Sequence, residues 1–339
     1  VTGERMGHER GTAIETRPLG RDGPRLTRVG LGMAALGRPA YITLGHAADL
    51  PGHPSPEALE RHAHAVLDAA YAAGVRYVDA ARSYGRAEQF VRSWLDARGL
   101  PAGDVVVGSK WGYRYTGDWQ LRAARHEVKD HSLSALREQL AESRAALGPH
   151  LALYQIHSAT EDTGVLGDDA VLDALASVRD GGVRVGVTVS GPGQAAAVRR
   201  ALGIRRGGDP LFASVQATWN LLERSCEDAL REAHAAGRAV LVKEALANGR
   251  LGPRGDAAAG PLGEIAAALG ATVDAVALAA ALAQPFADVV LLGASTVPQL
   301  ASNLEALGVQ LPVGAQGALA TLREGAAEYW RRRAGLPWT

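Results

Sequence analysis

The chain has 339 residues, 47% hydrophobic and 21% charged, enough for a full core in one large or two ordinary domains. Its 36 basic and 36 acidic residues cancel, leaving no electrostatic footprint for nucleic acid or an anionic membrane. The single cysteine, Cys226, excludes an internal disulfide and fits a reducing cytoplasm, and no apolar run reaches the roughly 18–20 residues of a membrane span.

The polar, mixed-charge stretch Val1–Thr16 is unlike a signal peptide and is expected to be a flexible leader, with Met6 an alternative start. A single domain is expected over 17–339. Strand-like apolar runs follow at Leu26–Ala34, Arg76–Ala80, Val105–Lys110, Leu151–His157, Val183–Ser190, Phe212–Ala217, Val240–Leu246 and Val289–Gly293. Between them the period is helical. Ser55-Pro56-Glu57 is an N-cap with proline at the first helical position, and Leu59, Ala63, Val66, Leu67 and Ala70 share one face before Gly74. Ser132 opens a second such helix, ending at Gly148. Others are predicted over 86–98, 168–180, 193–202, 223–236, 274–284 and 297–307, and one over about 315–333 with the basic end Arg331-Arg332-Arg333.

Eight strand–helix units predict an α/β fold, a closed (β/α)8 TIM barrel in one domain, with long loops over the carboxyl-end face and an extra C-terminal helix. An open dinucleotide-binding sheet would carry a glycine fingerprint after its first strand. Gly30-Leu31-Gly32 lacks the third glycine and leads into a long loop, not a helix.

Barrel enzymes carry their chemistry at the carboxyl ends of the strands. Here the second strand ends at Asp79, with Tyr84 on the loop beyond, the third at Lys110 and the fourth at His157. Each alone reads as a surface or core residue; three ionisable groups ending adjacent strands read as one site. The set resembles the aldo-keto reductase superfamily, in the branch of potassium-channel β subunits and related bacterial reductases, from about Arg17 to Leu307. The family's Asp-Thr-Ala-x-x-Tyr-Gly stands as Asp79-Ala80-Ala81-Arg82-Ser83-Tyr84-Gly85, its lysine as Lys110, and its histidine as His157 in Tyr-Gln-Ile-His. The resemblance implies a (β/α)8 barrel that holds a nicotinamide dinucleotide without a Rossmann domain.

The chemistry is legible in the residues. Hydride transfer to a carbonyl leaves an oxyanion that needs a proton. A free tyrosine, with a pKa of about 10, is a sluggish acid near neutrality. A cation roughly 4 Å away is worth on the order of 4 kcal/mol at an effective dielectric near 20, so Lys110, held by Asp79, is expected to bring Tyr84 into range. His157, neutral, would orient the carbonyl oxygen.

By the same resemblance Gln216 binds the nicotinamide carboxamide, and Met33 and Leu246 lie against the cofactor. The family's Gly-Val-Ser-Asn appears as Gly186-Val187-Thr188-Val189; Thr188 keeps the hydroxyl and Val189 loses the amide, which Ser190 would replace. Gly293, Ser295, Gln299 and Asn303 match the adenosine end, Ser295 or Thr296 reading equally as a helix N-cap. Lys243 stands where many members stack an aromatic residue on the nicotinamide; it either meets the ring or pairs with Glu244.

Substrate identity is poorly encoded. Tyr41, Trp111, Tyr113, Tyr115 and Trp119 lie on the long loops Gly37–Ser55 and Trp111–His131, either as an aromatic pocket or as loop packing. The leading expectation is a cytoplasmic enzyme reducing a small carbonyl compound with NADPH (reversibly, alcohol with NADP⁺), NADH being the open alternative. Arg250 and Arg254 would approach the 2′-phosphate. No metal, nucleic-acid or membrane partner is expected, and the oligomeric state is left open. A nucleotide-binding regulatory or redox-sensing subunit with little turnover is the second class. A Schiff-base aldolase using Lys110 is a weaker third, because the adjacent carboxylate keeps the lysine charged.

Overall fold

A computed structural model describes residues 13–50 and 54–339. The expected leader lies outside the described residues up to residue 12, and Thr16 already belongs to a strand. The eight expected strands close into one parallel barrel. In chain order they are β1 (Val29–Gly32), β2 (Tyr77–Asp79), β3 (Val106–Trp111), β4 (Leu151–Ala159), β5 (Arg184–Val189), β6 (Ser214–Thr218), β7 (Ala239–Lys243) and β8 (Val289–Leu292). Each pairs with its neighbours in sequence, and β8 pairs back onto β1 with Leu291 opposite Gly30.

The outer helices begin where local chemistry supplies an acceptor. In α1 (Pro56–Ala72) the Ser55 hydroxyl accepts from the Ala58 N–H, and the expected face from Leu59 to Ala70 is buried. Ser132 and Asp168 cap α3 (Leu133–Leu147) and α4 (Asp169–Asp180) in the same way, satisfying N–H groups that a helix start leaves free. Helix α2 (Ala87–Ala97) follows the Tyr84 loop, while α5 (Gln194–Leu202), α6 (Glu227–Ala235), α7 (Val273–Leu282) and α8 (Val297–Leu304) complete the ring.

Several segments differ from the sequence reading. The run Leu26–Ala34 is two elements: Arg25–Thr27 pairs with Thr16–Pro18 as a hairpin across the amino-end floor, where Leu19 and Leu26 pack on Tyr77, Leu153 and Leu241. The C-terminal helix is two helices, Ala315–Ala320 and Ala326–Ala334. They part where the Glu324 N–H donates to Leu222 O and its carboxylate binds Arg250. Helix Pro261–Leu269 lies in a stretch to which the sequence assigned no element, and the hairpin Tyr113–Tyr115/Glu127–Lys129 in one read as a loop.

The Tyr84 loop is fixed by contact with the loop after β1. The Met33 N–H donates to Asp79 O (3.0 Å) and the Arg86 N–H to Gly37 O (2.8 Å). A Cβ on Gly37 would stand 2.2 Å from Tyr84 O and 2.5 Å from the Ala87 Cβ, so only glycine fits. Gly85, at φ +60°, makes the turn itself. Gly37→Ala should destabilise the fold by about 1–3 kcal/mol, as overpacking does, and lower its denaturant midpoint; an unchanged midpoint would show that the loop gives way freely.

Candidate active site

Asp79 ends its strand, and Lys110 and His157 stand one and two residues before the ends of the neighbouring strands, on one mouth with Tyr84 beside them. Asp79 and Lys110 are 2% and 1% exposed. The Lys110 Nζ donates to the Asp79 carboxylate and to Ala80 O (2.9 Å). Asp79 Oδ1 accepts from the Tyr77 hydroxyl (3.1 Å), Gln155 Nε2 (3.2 Å) and Gln216 Nε2 (3.1 Å). Above this pair, Lys110 Nζ lies 4.8 Å from the Tyr84 ring centroid. Tyr84 Oη is 3.5 Å from His157 Nε2, the rings edge to face at 5.5 Å. The Ser83 hydroxyl stands 3.5 Å from His157 Nδ1.

Electrostatics follow from that wiring. Burial, and then the Asp79 charge, hold the Tyr84 phenol well above its usual pKa. This corrects the expectation for Lys110: its ammonium is taken up by Asp79, which opposes a phenolate, so in the free protein the pair does not offset burial. Burial, with Lys110, Lys243 and Arg38, keeps His157 well below the usual histidine range and therefore neutral.

These residues stand at one end of a cavity of about 640 Å³, within the roughly 300–1,000 Å³ of small-molecule sites. It runs from Tyr84, His157 and Gln216 past Lys243 and Leu246 to Gly293, Ser295, Gln299 and Asn303, all of which line it. Gln216 gives its amide N–H to Asp79, leaving its carbonyl for a ligand donor. Met33 and Thr188 do not reach the wall. Met33 is wholly buried in the core, and the Thr188 hydroxyl accepts from the Ser158 N–H (2.7 Å); Ser158 and Ser190 face the cavity in its place.

At the far end Thr296 is the N-cap of α8, its hydroxyl accepting from the Gln299 N–H, while Gln299 Oε1 accepts from the Ser295 N–H and hydroxyl. Asp274 accepts from Ser302 and Asn303, and its Oδ1 is buried with no partner among the described residues. An elongated cavity with a tyrosine–histidine end, an open wall at Gly293 and an unanswered acceptor fits a dinucleotide.

Lys243 does not pair with Glu244. Glu244 turns away at φ +53° and binds Arg333 (2.5 Å) and the Thr218 hydroxyl (3.1 Å). Among the described residues Lys243 has no ion-pair partner. Burial, Arg333 and Lys110 outweigh Glu244 and lower its pKa to about 8. Trp219, the aromatic residue just past β6, is wholly buried and donates to Glu227, so it offers no ring to the cavity. Of the two arginines after β7, Arg250 is bound to Glu324 away from the cavity, while Arg254 lines it, tied to Asp49 and Gly45 O.

The loop aromatics divide. Tyr41 and Tyr113 line the cavity, with the Tyr113 ring 4.9 Å from His157; Trp111, Tyr115 and Trp119 pack the loops. Trp330, Arg333 and Trp338 from the C-terminal segment complete the mouth. Trp338 stacks on His126 (4.5 Å), and Thr339 and Tyr41 exchange backbone hydrogen bonds. Sequence reading missed Arg38, Asp49, Gln155, Asp274 and these C-terminal residues. Only Gln155 carried a signal, as the polar residue two before His157 in an otherwise apolar strand.

Among curated proteins, Protein tas of Escherichia coli (strain K12) and that of Shigella flexneri are each 28% identical over 302 residues, covering 74% of this chain and 86% of theirs. Among solved structures, the aldo-keto reductase AKR11C1 from Bacillus halodurans (holo form) superposes with a TM-score of 0.69 at 22% identity, over 92% of this chain and 97% of that one, which shows the shared fold. The model of the Aldo/keto reductase family matches residues 29–314, from the first barrel strand to past α8, and the chain thus belongs to that family, whose reaction is the NAD(P)H-dependent oxidoreduction of carbonyls.

Proposed function

We propose that this protein reduces an aldehyde or ketone to the alcohol with NADPH, Tyr84 being the proton donor. The observation that carries the reading is the convergence of Tyr84 and neutral His157, over the buried Lys110–Asp79 pair, at one end of a cavity that continues to Ser295 and Asn303. Gln216, Ser158 and Ser190 would hold the nicotinamide end, and Gly293, Ser295, Gln299, Asn303 and Asp274 the adenosine end. When bound, the cofactor supplies the hydride.

The protein's own part is binding and proton transfer. A neutral His157 can donate from Nε2 to the carbonyl oxygen, fixing its lone pairs toward Tyr84. The Tyr84 O–H then breaks toward that oxygen. Burial keeps the phenol protonated near neutrality, so the proton is in place but needs a nearby cation to leave readily. Tyr41, Tyr113, Trp330 and Trp338 at the mouth support a hydrophobic or ring-bearing substrate. Arg254, beside Ser295 through Asp49, supports NADPH over NADH.

Oxidation of NADPH by a panel of aliphatic and aromatic aldehydes, followed at the reduced-nicotinamide absorbance band, tests the reading; absence of turnover with tight cofactor binding would instead fit a sensing subunit. Tyr84→Phe should lower kcat by about 10²–10⁴-fold, the range of general acid catalysis, with the NADPH Kd nearly unchanged. Full activity in that variant would remove Tyr84 from the mechanism.

Lys243 generates a second prediction. An ammonium facing the nicotinamide repels the cationic oxidised ring and tolerates the neutral reduced one. NADPH should therefore bind several-fold tighter than NADP⁺, a difference of about 1 kcal/mol after screening. Because the ammonium loses its proton as pH rises through about 8, the preference should be full below that pH and fade above it. Lys243→Met should abolish both the preference and its pH dependence in fluorescence titrations at low ionic strength; an unchanged ratio would place the ammonium away from the ring.

A further inference from the structure

We propose that Arg38, which no motif singles out, is a positioning residue for the acid: its guanidinium, held against the Tyr84 ring, stabilises the phenolate left by proton transfer. The inference rests on the reading of Tyr84 as proton donor. In that step the Tyr84 O–H bond breaks, the proton passes to the substrate alkoxide, and the phenolate keeps the electron pair. A phenolate on the wall of this half-buried cavity needs a cation. Lys110 is near, but Asp79 neutralises it and itself repels the phenolate.

Arg38 offers a charge that is differently placed. Its Cζ is 5.3 Å from the Tyr84 ring centroid, and its Nη1 donates to Ser83 O (2.9 Å), the carbonyl next to Tyr84, and to Glu127 Oε2 (2.8 Å). The rings of Trp338 (4.8 Å) and Tyr41 (5.5 Å) close over the same guanidinium. Only 2% of the Arg38 side chain is exposed against 22% for Glu127, so water screens the counter-ion more than the cation. Towards Tyr84 the pair therefore acts as a net positive charge.

The other groups do not supply one. Asp79 from β2, Glu127 from the hairpin and Glu244 from the end of β7 raise the Tyr84 pKa, while Arg38 lowers it. The remaining titratable neighbours are Tyr77 and Tyr41, whose own pKa values are raised by burial, and His157, which is neutral; Lys243 acts on His157. The Arg38 Nε is buried with no partner among the described residues, so hydrogen bonding alone does not account for burying this side chain.

The test reads Tyr84 directly. Trifluorotyrosine, a more acidic phenol, replaces Tyr84, and its fluorine resonance is followed against pH without cofactor or substrate. Arg38→Met should raise the ionisation midpoint by about one pH unit, and Arg38→Lys should recover part of that shift. Glu127→Gln, which removes the opposing charge, should move the midpoint the other way. The alkaline limb of aldehyde reduction by the unlabelled variants should shift in parallel, with NADPH affinity unchanged. Midpoints unmoved in Arg38→Met and Glu127→Gln would overturn the proposal. If Arg38→Met does not fold, Arg38→Gln, which also removes the charge but keeps a polar side chain, decides in its place. Shifted midpoints in a protein that reduces no carbonyl would leave the electrostatic contact of Arg38 with Tyr84 standing and sink the reductase reading, and with it the contact's part in proton transfer.

Discussion

The ion pair of Lys110 with Asp79 sits inside the barrel where water does not reach, and both charges must be answered by the protein. Removing two ions from water costs several kcal/mol each, which their attraction repays only if the remaining lone pairs and protons are also satisfied. Here they are. Ala80 O takes a second Lys110 proton, and Tyr77, Gln155 and Gln216 bring three donors to the free oxygen of Asp79. Those donors come from β2, β4 and β6, so the polar cluster ties together strands that are not all adjacent. Because strand side chains alternate, a one-residue slip of β2 would turn Asp79 outward and strand Lys110 uncompensated. The pair thus specifies register as well as chemistry. Below it the interior is apolar, with Leu153, Leu241 and Leu291 over the floor hairpin.

The same logic of paired charge organises the mouth. Arg38 binds Glu127, joining the loop after β1 to the hairpin after β3. Arg254 binds Asp49, joining the β7 loop to the loop after β1, and Arg333 binds Glu244, joining the C-terminal helix to the end of β7. Each ion pair crosses between segments distant in sequence, and each has at least one member nearly buried. Such pairs fix geometry more than they add stability. They leave Lys243 as a cation on the cavity wall without a carboxylate partner among the described residues, so the wall meets a ligand with a charge that local structure has not cancelled.

How much of this was legible in the sequence depended on whether the determinant was local. The eight strands and most helix starts were, because Ser55, Ser132 and the short apolar runs act within a few residues. The split of Leu26–Ala34 was not, because the run is apolar on both sides of the break and only the partner strand Thr16–Pro18 separates the floor from the barrel. The tail reads as one helix by period; it breaks because Glu324 is claimed by Leu222 and Arg250, about 100 and 74 residues away in the chain. Asp79, Tyr84, Lys110 and His157 were legible because strand ends converge by topology. Arg38, Asp49 and Arg333 were not, because their positions depend on how loops fold over the mouth. The expected shift of Tyr84 failed for a related reason: the sequence shows that Lys110 is near, but not that Asp79 takes up its charge.

The ends of β4 and β7 show how the aim of the site side chains is held. Ser158, directly after His157, and Glu244, directly after Lys243, both adopt left-handed backbone, at φ +55° and +53°. For residues with a Cβ this costs of order 1–3 kcal/mol and persists only where neighbours over-determine it. At Ser158 the Thr188 hydroxyl accepts from the strained N–H, and the Lys129 ammonium donates to its carbonyl. At Glu244 the Asn220 amide donates to the carbonyl, while Arg333 and the Thr218 hydroxyl hold the carboxylate. Thr188 has a role on these grounds although it does not reach the cavity: it stabilises the irregularity in β4 that follows His157. The left-handed residue interrupts the regular alternation directly after His157, where the β4–β5 register shifts, and ends β7 directly after Lys243, and both side chains line the same cavity. A regular β conformation carried further would hand the cavity wall to the next alternating residues instead.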